Sequence, residues 1–386
     1  MKSRIVHLIK NNAFVQAFYR VTMSAFFRFI GLFVRTDDTL VLMNGHGSKY
    51  NDSPRDIFRK MDELGLTKKY KVVWALNDPD KYDIENCEKI KMDTFKYFKT
   101  ALKAKYWVSC VNIERGLHFK KKKTVYLNTW HGALINLCGN AVGVRKDFRW
   151  DYVNYFCVCG DYEKPFILRD FGVREDALIM TGYPRNDMLY SADADKVNKI
   201  KEKLGLALDK KTVLYAPTWR ETIDGGSSYQ LAPPIDWKKW KEALADEYVV
   251  LLRTHPYTTK IMNVEFDDFV KDFTEYPEVN HLLLAADVLI SDYSSINLDY
   301  CILEKPMLCF GYDYDEYKSQ RGFYYDLEEN MPNGVLKNEN EVIDLLLNMN
   351  VEEQIQKTAN FKKAHMQYGG NASVECINKL FGTDYS

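Results

Sequence analysis

From residue 39 onward the chain repeats one pattern: a short apolar run, a stretch with helical spacing, then another apolar run. Runs of four to eight apolar residues bounded by polar turns read as strands buried on both faces. They fall at residues 39–43, 71–76, 106–111, 124–128, 155–159 and 178–181 in the first half. In the second half they fall at 212–216, 249–253, 288–291 and 307–310. Helical spacing lies between them, as at 53–64, 94–104, 237–244, 296–304 and 341–349. Strands that alternate with helices form parallel sheets covered by helices, because a parallel crossover needs a helix-length connection.

The 386 residues suffice for two such units. The polar, Asp- and Lys-rich stretch 191–211 is the predicted boundary between them. The expected domains are 1–36, 37–195 and 196–386, and the last pattern, 372–381, is a candidate to pack back across the boundary. A cleft at the carboxyl ends of two sets of strands is the expected ligand site.

The first 36 residues stand apart. Residues 1–35 hold Lys2, Arg4, Lys10, Arg20, Arg28 and Arg35 and no acid, interleaved with Phe14, Phe18, Phe26, Phe27, Phe29, Leu32 and Phe33. No 18 uncharged residues run together, which excludes a spanning helix, and the repeated Arg argues against a signal peptide. The segment reads as an amphipathic helix lying on an anionic membrane surface; the alternative is a helix packed on the body of its own protein. Over the whole chain 53 basic residues balance 54 acidic ones, which excludes a general nucleic-acid binder. The eight cysteines form no CxxC pair, and most lie in apolar runs. They read as core residues of a reducing compartment, without a structural zinc site.

Several segments place polar groups just after a strand. Ser291-Asp292-Tyr293-Ser294-Ser295 lies between an apolar strand and a helix that carries Asp299. Ser294 and Ser295 there suit a phosphate at the helix start, or are an ordinary N-cap pair. Asp299, one turn on, suits ligand hydroxyls. Asn128-Thr129-Trp130-His131-Gly132 puts a His and a flexible Gly at a strand end. His131 suits general-base work, or is a loop His bonded to backbone. Arg253-Thr254-His255-Pro256 offers two cationic donors two residues apart, a pairing suited to a pyrophosphate. Thr218-Trp219-Arg220 and Gly182-Tyr183-Pro184-Arg185 are further candidates, through Thr218, Arg220 and Arg185. Asn44-Gly45-His46-Gly47-Ser48 is a weaker anion-binding candidate through His46, without a dinucleotide or P-loop fingerprint. Lys120 to Lys123 is a solvated turn or a contact for lipid headgroups. No HExxH-like ligand pair occurs, so no catalytic metal is expected.

Taken together these segments resemble the CDP-glycerol glycerophosphotransferase family of teichoic acid and capsule synthesis. Its TWHG, GxPRND, APTWR, RxHP and DYSSxxxDY…KP motifs stand here, in order, at residues 129–132, 182–187, 216–220, 253–256, and 292–300 with Lys305-Pro306. Tyr50-Asn51-Asp52-Ser53-Pro54 resembles its early YxDxP segment, and Arg321-Gly322-Phe323-Tyr324-Tyr325-Asp326 its late RGxYFD segment. The resemblance implies a GT-B arrangement of two Rossmann-like domains, with the nucleotide donor on the C-terminal one. It implies CDP-glycerol or CDP-ribitol as donor, no cofactor, and an undecaprenyl-linked saccharide or polyol-phosphate acceptor. It places the protein peripherally on the anionic cytoplasmic leaflet.

The expected catalytic residues are His131 and His255, and the expected donor contacts are Arg253, Ser294, Ser295, Asp299, Thr218 and Arg220. Arg185, Gly132 and His46 are candidate phosphate or acceptor contacts. The alternatives are a sugar-nucleotide glycosyltransferase of the same architecture and a non-catalytic membrane scaffold. One departure stands out: where the family commonly continues TWHG with a Lys-bearing run, this chain has Ala133-Leu134-Ile135-Asn136.

Overall fold

The computed structural model describes residues 12–143, 148–218, 220, 233–254 and 262–385. Two wholly parallel sheets organise it. The first contains β1 (Asp37–Asn44), β2 (Lys71–Leu76), β3 (Glu88–Lys91), β4 (Ala104–Ser109), β5 (Val125–Asn128), β6 (Tyr155–Cys157) and β7 (Leu178–Ile179). Its spatial order is β3-β2-β1-β4-β5-β6-β7. The second contains β8 (Lys211–Ala216), β9 (Tyr248–Leu252), β10 (Val270–Asp272), β11 (Val288–Ser291), β12 (Met307–Phe310) and β13 (Val335–Leu336), in the order β10-β9-β8-β11-β12-β13.

Both orders reverse direction beside their first strand, between β1 and β4 and between β8 and β11. A parallel sheet opens a crevice at such a reversal, outside the carboxyl ends of its strands. The central strands are apolar on both faces, as a sheet covered by helices on each side demands. Val41, Leu42, Met43, Val250, Leu251, Leu252, Leu289 and Ile290 are all completely buried.

The helix Ala13–Phe33 begins at Asn12, whose side chain accepts from the backbone N–H of Phe14 and Val15. Its inner face is anchored on the first domain. Phe27 stacks on Phe98 with centroids 4.4 Å apart, Arg20 Nε donates to the Gly116 carbonyl, and Arg28 Nε donates to the His118 carbonyl. Its outer face leaves Phe14, Phe18, Val21, Phe29, Leu32 and Phe33 each more than 60% exposed. The inner face accords with the expectation of a helix packed on the body of its own protein. Among the described residues no helix is long and apolar enough to cross a membrane.

At the other end of the chain, the helix Ala372–Phe381 lies against the first domain's helix Asp52–Glu63. Phe381 stacks on Tyr70 at 4.0 Å, and Cys376 Sγ lies 3.5 Å from Cys157 Sγ in β6. Asp187 accepts from the N–H groups of Ala372 and Ser373, so a carboxylate fills the helix start. All eight cysteines are free thiols, six of them buried.

Candidate active site

The first domain brings three strand ends together. Asn44 ends β1, Ser109 ends β4 and Asn128 ends β5, and their registers align side by side. The loop after β5 carries His131. Asn128 Oδ1 caps it by accepting from Trp130 N–H, and Trp130 takes a left-handed backbone conformation at φ 54°. His131 Nδ1 lies 2.9 Å from the Cys110 carbonyl, just beyond β4. A carbonyl only accepts, so Nδ1 carries the proton and the neutral ring presents an unprotonated Nε2. Burial, above all, pushes the imidazole down to about 4; His46 and Arg185 push the same way, against the Cys110 carbonyl and Asp52. His46, after β1, faces it with ring centroids 5.0 Å apart, and the Trp130 indole packs against it at 4.0 Å. His131 is therefore a backbone-bonded loop His, and the bond to Cys110 orients a ring whose Nε2 is free of a proton.

Arg185 ties this loop to the second domain. Its Nη1 donates to the His131 carbonyl at 2.9 Å and pairs with Asp52 at 3.2 Å; its Nη2 pairs with Asp299 at 2.6 Å. The other Asp299 oxygen accepts from Asn186 Nδ2 at 2.7 Å. Asp299 sits on the second domain's helix Ile296–Cys301, so the PRND turn spans the domain boundary. Each Asp299 oxygen thus has a partner on the PRND turn, and the carboxylate keeps acceptor capacity beyond these two bonds. The two carboxylates flanking Arg185 raise its proton affinity, so the guanidinium is a fixed charge.

Gly132 shows how close the two domains come. Its φ is +151°, and a Cβ there would lie 2.6 Å from Ser295 Oγ and 3.4 Å from Arg185 Nη2. Only a glycine lets the His131 loop meet the second domain's serine turn. Asn136, at the position of the family's Lys, donates from Nδ2 to the Tyr293 carbonyl at 2.9 Å and bridges to Phe323. It thus serves as an uncharged hydrogen bond between domains.

On the second domain, the turn after β11 is held by a buried ion cluster. Asp292 accepts from Thr218 N–H and hydroxyl, from Tyr293 N–H and from Arg220 Nη1. Arg220 also grips Asp313 through Nε at 2.7 Å and Nη2 at 2.8 Å, and the rings of Tyr293, Tyr312 and Tyr317 surround its guanidinium at 4.9–5.3 Å. Arg220 is only 5% exposed. Thr218 and Arg220 therefore brace the turn through Asp292 and Asp313. Their hydrogen-bonding atoms point into the protein because two buried carboxylates demand them. Ser294 and Ser295 stand half-exposed above this frame, and Ser294 Oγ accepts from Ile296 N–H at 3.3 Å. Ser295 is the N-cap residue of the helix but makes no side-chain cap bond, so the Ser294 bond is a local turn rather than a cap.

Arg253, just beyond β9, donates through Nη1 to the carbonyls of Phe273 and Tyr276, and burial lowers its proton affinity. His255 and Trp219 lie outside the described residues. Sequence reasoning passed over Asp52, Asn186 and the Cys110 carbonyl as site groups. Asp52 had a signal, the YxDxP-like segment, and it takes φ 58° at the start of its helix. The Cys110 carbonyl had none, since a backbone atom carries no side-chain signature.

Two doubly wound sheets whose reversal points share one seam define a GT-B-like architecture. The family model for CDP-glycerol:poly(glycerophosphate) glycerophosphotransferases matches residues 25–382. The chain belongs to that family of teichoic acid biosynthesis transferases. It is 33% identical over 338 residues to a teichoic acid glycerol-phosphate transferase of Staphylococcus aureus (strain NCTC 8325 / PS 47), covering 82% of this chain and 83% of that protein. It is 29% identical to a teichoic acid poly(glycerol phosphate) polymerase of Bacillus spizizenii (strain ATCC 23059 / NRRL B-14472 / W23), over 94% of this chain and 93% of that one. The solved wall teichoic acid polymerase TagF superposes with a TM-score of 0.81 at 27% identity, over 98% of this chain and 95% of that one. A UDP-GlcNAc 2-epimerase from Neisseria meningitidis shares the fold at a TM-score of 0.51 and 12% identity, over 89% of this chain and all of that one.

Proposed function

We propose that this protein transfers glycerol phosphate from CDP-glycerol to a hydroxyl of a lipid-linked acceptor and releases CMP. The observation that carries the reading is His131: a part-buried, neutral imidazole with its tautomer set by Cys110, next in sequence to Gly132, which meets Ser295 of the serine turn. The acceptor oxygen attacks the β-phosphorus as its proton passes to His131 Nε2. The bond from that phosphorus to the bridging oxygen breaks, and CMP departs with the electron pair. Ser294, Ser295 and Arg253 bind the diphosphate, and His255 joins them in charging the departing CMP oxygen. Arg185 and Asp299 act as positioning residues: they hold the base loop in register with the donor side. His46 lines the acceptor side of the base.

The choice of glycerol is supported by the relatives. The glycerol-phosphate enzymes named above match over 82% and 94% of this chain, whereas four ribitol-phosphate enzymes match over 46–69% of it. A solved TagF variant was soaked with CDPG. The test is CMP release with a lipid-linked acceptor, comparing CDP-glycerol, CDP-ribitol and a UDP-sugar. Release from CDP-glycerol is expected to exceed the others by at least tenfold; a nucleoside diphosphate as product would replace this reading with glycosyl transfer.

The same reading places the protein peripherally at the cytoplasmic face of an anionic membrane, through the exposed aromatic face of the helix Ala13–Phe33 and the bases of residues 1–35. Deleting residues 1–35 is expected to release the protein from anionic liposomes and to leave CDP-glycerol binding intact. Co-sedimentation that survives the deletion would place the contact elsewhere.

A further inference from the structure

A second concavity lies on the first domain, outside the seam. It has a volume of about 470 Å³ and opens between the helix Ala13–Phe33 and the segments that follow β4 and precede β6. Tyr19 and Arg20 of the helix form one wall; Arg115, His118, Arg149 and Trp150 form the others. Nothing in the reaction described above uses it. We propose that this cleft is a subsite for a glycerophosphate unit presented at the membrane surface, on the acceptor side of the enzyme. The inference rests on the proposed transferase reading.

Three features point to that ligand. The first is charge. Three arginines, Arg20, Arg115 and Arg149, line the cleft, and burial followed by the charges of Arg20 and Arg28 lowers the proton affinity of His118. Among the described residues two carboxylates pair with these arginines. Asp93 takes Nε and Nη2 of Arg115, and Asp151 pairs with Arg149, but these pairs are solvent-exposed. Exposed pairs are worth only about 0–1 kcal/mol, so a phosphate can compete for the same donors. Guanidinium forks match phosphate oxygens in bidentate geometry.

The second feature is shape. The cleft has the size of an ordinary small-ligand site, and the exposed ring of Tyr19 suits the carbon skeleton of glycerol beside its phosphate. The third is position. One wall is the helix whose opposite face is apolar and exposed, which sets the cleft at the level of lipid headgroups. The opposite wall leads to the base: Trp150 lies 6.3 Å from Trp130, whose ring packs on His131 at 4.0 Å. A phosphate held here would bring an acceptor chain to the edge of the active site. The source of the glycerophosphate is a lipid headgroup or the acceptor itself.

The test uses the full chain and the double variant Arg115→Gln/Arg149→Gln. Both side chains are exposed, so the melting temperature should stay close to that of the parent. Three measurements are compared: affinity for α-glycerophosphate by calorimetry, sedimentation with phosphatidylglycerol against phosphatidylcholine vesicles, and KM for a phosphate-bearing lipid-linked acceptor. Loss of the charge-assisted bonds is expected to weaken α-glycerophosphate about tenfold or more. KM for CDP-glycerol should not move. A matching loss on phosphatidylglycerol vesicles alone assigns the cleft to a lipid headgroup; a matching rise in acceptor KM alone assigns it to the acceptor. Unchanged affinity for α-glycerophosphate overturns the proposal. The binding arms need no turnover, so they decide this subsite even if the assignment of the reaction fails.

Discussion

Replacing His131 with Ala is expected to lower kcat about 10²–10⁴-fold, the usual contribution of a positioned general base. CDP-glycerol affinity should change less than threefold, because the proposed diphosphate contacts lie on the other domain. The pH profiles should separate. The free enzyme holds His131 down at about 4, so the acid limb of kcat/KM should fall well below neutrality. Burial and the neighbours His46 and Arg185 cause that depression. A bound diphosphate adds negative charge beside the ring and favours the imidazolium. The acid limb of kcat should therefore lie at higher pH than that of kcat/KM. A His131→Ala protein that is folded and turns over at the parental rate would remove this residue from the base role.

The second large effect is expected at Arg220, where the loss is one of stability first. Arg220→Met leaves the carboxylates of Asp292 and Asp313, 1% and 8% exposed, without their shared cation. Removing one partner of a buried ion pair costs about 3–5 kcal/mol, because the charge left behind is neither solvated nor paired. Urea unfolding of the second domain should show a loss in that range. Arg220→Lys should recover only part of it, since one ammonium cannot make a bidentate bond to Asp313 and also reach Asp292. Where the variant still folds, the turn carrying Ser294 and Ser295 loosens, because Asp292 fastens Tyr293 and Thr218, and Asn297 Nδ2 donates to the Asp292 carbonyl. KM for CDP-glycerol should then rise while His131 keeps its pH signature. A loss below 1 kcal/mol would mean that the cluster is a bystander.

Much of the architecture was legible because its signals are local. The helices Trp237–Leu244 and Ala372–Phe381 and the strands β2, β11 and β12 run as their apolar spacing predicts. The strands that escaped sequence reading are β3, β10 and β13, all at sheet edges. Glu88–Lys91 and Val270–Asp272 mix charge with single apolar residues, since an edge strand is only part-covered and need not be apolar throughout. The helix Val351–His365 was also missed. It buries Gln354, Thr358 and His365 along with Phe361, and an inner face this polar hides the helical period.

The site divides the same way. The sequence by itself determined which chemical groups this protein owns and that each stands just beyond a strand: His131 after β5, Ser294 and Ser295 after β11, Arg253 after β9. It also carried the family motifs and an N-terminal segment with two distinct faces. Only the tertiary structure decided what those groups do to one another. Arg185 and Asp299 meet across 114 positions of chain, and Gly132 comes against Ser295 from the other domain. Arg220 pairs with Asp292 from a buried position, and Asp299 pairs with Arg185, contacts that no local pattern announced. The physical reason is range. Propensity and periodicity act over a few residues, whereas burial and charge pairing depend on which surfaces the two domains bring together.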